Sequence, residues 1–315
     1  MVVRWLLPPF LLLIGLTSPP GAQQQPETLS LQDKLLVPPP IPDDTRRQLE
    51  ADLSAARATY DKNPNDVDAA IWLGRRTAYL HRYGEAIEIY TRAIETHPDE
   101  PRLYRHRGHR FITIRKFDLA IRDLQKAAEL VEGTPDQVEP DGRPNDRNIP
   151  TSTLQTNIYY HLGLAHYLKA EYPQALEAYK KCLSLSKNAD MQVATSAWLY
   201  LTLRRLNHED DARKVLQPIT SAMDIIENEP YRRLLLFYKG ELTESAFTAK
   251  GTEGTIYAYG IASRALWSGD HDKAKNEMKR IVEKRMDDWP SFAYIAAEAD
   301  LVRLQKGEHK HKKKK

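Results

Sequence analysis

Three glycines, Gly74, Gly108 and Gly163, are each followed twelve positions later by an alanine: Ala86, Ala120 and Ala175. Four positions beyond each alanine stands a bulky residue, Tyr90, Leu124 or Tyr179. Residues four apart share a helix face, so each alanine and its bulky neighbour look the same way. Gly74 and Gly108 are themselves 34 positions apart. Recurrence on such a beat restricts the chain to stacked helical hairpins, since a period of about 20–50 residues marks a repeat architecture.

The small residues have a packing reason. Helix axes in close contact lie about 8–10 Å apart, and a larger side chain at the crossing would push them apart. One hairpin cannot bury its apolar stripe alone, so neighbours stack and the core runs on from unit to unit. These periodic residues are therefore expected in the core and not in a site.

Residues 67–100 hold Leu73 and Gly74 on a first helix, Ala86, Tyr90 and Ala93 on a second, and Pro98 at the close. The next copy has Gly108, Ala120, Leu124 and Ala127, and the third has Tyr159, Leu162, Gly163, Ala175, Tyr179 and Cys182. On these residues the chain resembles the tetratricopeptide-repeat (TPR) superfamily. The resemblance implies an all-α, right-handed superhelix, an α-solenoid of antiparallel helix pairs. Clear repeats are expected at 67–100, 101–134 and 156–189, and degenerate ones at 193–226 and 255–288. Tyr200 stands in the glycine slot of the fourth.

Outside the repeats, Arg4 precedes an apolar run and a small-residue region ending at Ala22, which reads as an export signal over residues 1–22. An uncleaved anchor is the alternative. Export would place the protein in the periplasm or outside the cell, with no membrane span once the signal is removed. Residues 23–44, with Gln23-Gln24-Gln25 and Pro38-Pro39-Pro40, read as an extended linker. A helix from about Thr45 to Asp61 carries Leu49, Leu53, Ala56 and Tyr60 on one stripe and forms a leading half-repeat. The solenoid is expected over residues 45–306. Its last helix, Pro290–Gln305, serves as a C-terminal cap that Gly307 ends. A shorter helical pair is expected from Pro230 to Lys239 and from Thr243 to Lys250.

The formal charge of +3 misleads. The basic tail, 307–315, with Lys306 holds six lysines and one glutamate, so the rest of the chain is acidic. The tail could contact an anionic surface by charge alone. Nucleic acid is not an expected partner of an exported chain. The single cysteine, Cys182, excludes an internal disulfide and fills the small buried slot that Ala93 and Ala127 fill earlier.

Gly108 and Gly163 are 55 positions apart, so a segment rich in Pro, Gly, Asp and Asn, residues 133–155, is inserted between the second and third repeats. Such long loops in compact arrays are functional or disordered. Part of it mimics a calcium-loop spacing, but Gln137 would be the first ligand and Asn148 the twelfth, where a bidentate Glu is needed. His106, His109, His161 and His166 lie on first helices, yet no His-x-x-x-His pair occurs and arginines surround the first two. No metal and no cofactor is expected. Phosphate loops, nucleophile elbows and paired cysteines are absent.

The family resemblance implies that first helices line a concave groove. Carried over, it gives Arg75, Tyr79, Arg105, His109, Tyr160, Tyr167 and Arg204 as peptide-binding residues. Arg can clamp a carboxylate with two parallel bonds, and Tyr offers flat contact at low entropic cost. The expected function is a non-catalytic scaffold binding an acidic peptide or partner protein in this groove, within a cell envelope. Another reading keeps Arg105, Arg107 and Arg110 as a face paired with the acidic loop. An enzyme site at Asp141, Asn145, Tyr160 and His161, between loop and third repeat, is a further alternative. So is a structural module using the lysine tail.

Overall fold

A computed structural model describes residues 25–312, with side chains through Gly307. The expected export signal and the last three lysines lie outside the described residues. An antiparallel hairpin, β1 (Thr28–Leu29) and β2 (Leu35–Leu36), leads into the helices. These are α1 (Asp43–Lys62), α2 (Val67–Tyr79), α3 (Tyr83–Thr96), α4 (Pro101–Thr113), α5 (Phe117–Leu130), α6 (Leu154–Leu168) and α7 (Tyr172–Leu185). Beyond them come α8 (Ala189–Arg205), α9 (Glu209–Leu216), α10 (Glu229–Lys239), α11 (Gly251–Trp267), α12 (His271–Lys284) and α13 (Phe292–Lys312). The architecture is an all-α helical-repeat solenoid, with α2/α3, α4/α5, α6/α7 and α11/α12 packed as hairpins.

The glycines sit where close crossing requires them. A Cβ on Gly163 would lie 2.8 Å from the Tyr179 ring, and one on Gly108 would lie 2.8 Å from Leu124 Cγ. On Gly74 it would collide with Tyr90. Ala86, Ala120 and Ala175 are fully buried on the partner helices. A second beat appears in the backbone. Seven positions after each small slot the chain turns through a left-handed residue: His81, Arg115 and Ala170, with φ of 61–63° absent from helices. Asn207 and Gly269 repeat it in the degenerate pairs, so the turn persists after the side-chain pattern has decayed. Only Gly269 adopts that φ without a steric penalty.

Local signals set several starts. The Asp66 side chain accepts from the amides of Asp68 and Ala69 to begin α2, and Pro101 opens α4. Thr153 and Thr156 form a reciprocal capping box at α6, which fixes where the inserted loop ends.

Three expectations need correction. Residues 25–42 are not a free linker: Leu36 is fully buried, and Trp289 Nε1 donates to the Val37 carbonyl at 2.6 Å. Leu36, with half-buried Leu31 beside it, gives this proline-rich arm the apolar surface to dock, while Leu29 and Leu35 stay exposed. The segment after α10 makes only a 3-10 turn, Glu244–Ala246, and not a second helix. Lastly, α13 runs through Gly307 to Lys312, because an isolated glycine costs a helix only about 1 kcal/mol.

Beyond closing the array on α11 and α12, α13 crosses to the first helices of the second and third repeats. Phe292 packs on His109 and His161 with ring centroids 5.3 and 5.5 Å apart. Buried Arg115 donates to Glu298 at 2.9 Å and to the Trp289 carbonyl at 2.9 Å. The other Glu298 oxygen accepts from the Leu31 amide at 3.0 Å. One carboxylate thus joins the N-terminal arm, the α4–α5 turn and the last helix.

Candidate interaction site

First helices α2, α4 and α6 line the inner face, and the inserted loop, residues 131–153, lies on its near end. Helical spacing puts Trp72, Arg75, Arg76 and Tyr79 on one side of α2. Arg75 Nη1 donates to the Pro140 carbonyl at 2.8 Å, and Arg76 Nη1 to that of Gly142 at 2.9 Å. The Gly142 backbone lies so close to Tyr79 that a side chain there would overlap the ring. Arg75 also sits over the Trp72 ring, 4.6 Å from its centroid.

From α4, Arg105 reaches Glu139 of the loop at 3.0 Å, and both are 8% exposed. Asn157 of α6 donates to the second Glu139 oxygen at 3.0 Å. Arg105 Nη1 lies 3.0 Å from His106 Nδ1. A guanidinium only donates, so Nδ1 accepts and the His106 proton is on Nε2, 3.5 Å from Glu139 Oε1. His161 Nδ1 donates to the Asn157 carbonyl at 2.6 Å, and His109 and His161 rings lie 4.3 Å apart. Burial, and then the neighbouring guanidiniums, hold His106, His109 and His161 well below the usual histidine range. Arg105 Nε is buried with no hydrogen-bond partner among the described residues.

The loop rests on the inner face without filling it. A cleft of about 210 Å³ remains between Trp72, Arg75, Arg102 and His106 on one side and Val138 and Pro140 on the other.

The seven residues assigned to a groove lie on the inner face, but the chain itself covers most of them. Arg75, Tyr79 and Arg105 meet the loop. His109 and Tyr160 meet Phe292 of α13. Tyr167 is fully buried, its hydroxyl 2.8 Å from that of Tyr259 on α11. Arg204 covers Trp267 and pairs with Glu209 at 3.5 Å. All of α6 except Tyr159 is buried, so the inner face is closed at the third repeat. Among the described residues the accessible part of this face is its near end, at Trp72, Arg75 and Arg102.

The arginines are also largely paired. Arg107 grips Asp123 at 2.6 and 2.9 Å, and Arg102 grips Glu100 at 2.8 and 2.9 Å and Asp68 at 2.6 Å. Arg105 pairs with the acidic loop, as the alternative reading had it. Arg102 and Asn157 fall on the first-helix positions that the family resemblance assigns to the groove, whereas sequence reasoning missed Trp72 and Glu139 as members of this site. The spacing of Trp72 with Arg75 and Arg76 was the available signal; nothing in the sequence singled out Glu139 among the loop acids.

The alternative catalytic set does not assemble. Asn145 donates to the Ile149 carbonyl and to Glu227. Among the described residues no hydrogen bond joins it or Asp141 to Tyr160 or His161. Burial pushes the Cys182 thiol up to about 12, which leaves it a packing residue. His166 is apart from the other histidines, bonded to Glu171 at 2.8 Å. Among the described residues no three His, Cys, Asp or Glu side chains are grouped to hold a metal ion. No described helix is long and apolar enough to cross a membrane.

A solenoid of helical hairpins with crossings closed by small residues defines a class of interaction scaffold. The family model described as tetratricopeptide repeat matches residues 156–188, the α6/α7 hairpin and the turn that follows it. Among solved structures it is similar to a tetratricopeptide repeat protein from Parabacteroides merdae, at 14% identity and TM-score 0.47, covering 82% of this chain and 93% of that one. It is likewise similar to pilF of Pseudomonas aeruginosa, at 17% identity and TM-score 0.45, over 81% and 91% of the two chains. YrrB, described as a TPR protein with an unusual peptide-binding site, aligns at 12% identity and TM-score 0.43, over 82% and 99%. At these scores the likenesses assign no ligand to this chain. No curated protein matches it.

Proposed function

We propose that this protein is a non-catalytic scaffold that binds an extended segment of a partner protein at the open end of its inner face, after export to the cell envelope. The observation behind this reading is the way Arg75 and Arg76 hold the loop. Both donate to main-chain carbonyls, a grip that suits an extended polypeptide of many sequences. Half-buried Trp72 and the adjoining cleft supply an apolar contact beside those donors. Aromatic and arginine side chains of this kind dominate binding energies at interfaces. The export part rests on the apolar run after Arg4.

A photo-crosslinking residue placed at position 72 should capture a partner protein in cells. The same residue at position 181, exposed on α7, should not. Capture from 181 alone, or from neither, would overturn the reading. The mass of the mature N-terminus tests export separately.

A further inference from the structure

The loop segment Gln137–Asp141 is held as a bound peptide would be, and its fit is incomplete. Glu139 is the buried anchor, between Arg105, His106 and Asn157. Pro140 and Gly142 present their carbonyls to Arg75 and Arg76. Val138 points outward, 62% exposed, while the next side chain, Glu139, is buried, as neighbouring side chains of an extended strand face opposite ways. A single isolated bridge, Val138 with Thr153, ties it to the returning chain.

The grip on the anchor is one-pronged. Glu139 engages Arg105 through Nη2, while Arg105 Nε stays buried and bare. A carboxylate free of the loop's geometry could take Nε and Nη2 together, the stronger two-bond arrangement. The cleft beside Trp72 is also unfilled.

Resting on the peptide-binding reading above, we propose that Gln137–Asp141 is an internal occupant of the site. The external ligand is an extended peptide carrying glutamate followed by proline, and it competes with the loop for Arg105. The recognised chemistry is therefore that of the segment Gln-Val-Glu-Pro-Asp itself, and the loop sets how tightly a partner binds.

Glu139→Gln tests the competition. Arg105 pairs with one Glu139 oxygen and Asn157 donates to the other; a glutamine keeps an acceptor at only one of those two positions and sets an NH2 donor at the other, so the loop loosens without loss of bulk. The probe is a fluorescent synthetic peptide with the sequence of residues 135–142, followed by anisotropy on the full chain. It should bind Glu139→Gln at least tenfold more tightly than wild type, and a peptide with Gln for its Glu should bind neither. Equal binding to both proteins, or none to a Glu139→Gln variant with wild-type helicity, overturns the proposal. Should that variant fail to fold, hydrogen exchange on wild type decides. Excess peptide should speed exchange at the amides of Glu139 and Leu154, which bond within the loop, and unchanged exchange overturns the proposal. Partner capture from position 72 that survives such a failure would leave the scaffold function standing and remove only the loop's part in it.

Discussion

Gly163 and Ala170 are seven positions apart and carry opposite constraints. Gly163 admits no Cβ because the buried Tyr179 ring fills the space, whereas Ala170 holds a left-handed φ of 62° that costs any residue with a Cβ. Exchanging the residue types should therefore act with opposite signs. Gly163→Ala overpacks the crossing and should destabilise by about 1–3 kcal/mol. Ala170→Gly relieves the turn and, after the added freedom of the unfolded chain, should stabilise by about 0.5–1 kcal/mol. Urea midpoints of the two variants check this. The first constraint was legible in the sequence, since the Gly-to-Ala interval recurs. The second was not, because His81, Arg115, Ala170 and Asn207 share a conformation and no chemistry.

Among elements, the contact between α4 and α6 holds the least comfortable residues of the fold. His106, His109 and His161 pack there beside Arg105 and are held uncharged, with folded pKa values well below 6.5. In the unfolded chain each takes up a proton near 6.5, so between that value and the depressed one the unfolded state binds more protons. Stability rises with pH across such a window. It is therefore fully present above about pH 6.5 and is lost as pH falls below it. Urea midpoints should drop between pH 7.5 and 5.5, and His109→Gln should flatten that slope. The position of these residues on first helices could be read from the repeat register. Their covering could not: Glu139 and Phe292 reach them from an irregular loop and from a helix more than a hundred residues away, and neither follows the repeat beat. The arginines show the same division. Their face was legible, but their acidic partners were dispersed over Asp68, Glu100, Asp123 and Glu139.

At the scale of the whole molecule, the solenoid is closed by parts outside its repeats. Glu27 accepts from the amides of Tyr83 and Gly84 at 2.9 and 3.2 Å. From there the arm runs to Glu298 and Trp289. Removing residues 25–42 should unseat α13 while leaving the hairpins α2 to α7 folded. Hydrogen exchange should rise at residues 289–298 and stay unchanged in α6 and α7 where they face each other; uniform protection would count against a bracing role for the arm. The sequence concealed this brace because proline-rich composition masked Leu31 and Leu36, and their docking surface exists only after folding. The Leu31–Glu298 and Val37–Trp289 bonds span 267 and 252 positions. During synthesis the arm thus emerges first and waits for the last helix to leave the ribosome. Until then the histidines under Phe292 face water, so a growing chain presents to chaperones a surface that the finished molecule hides.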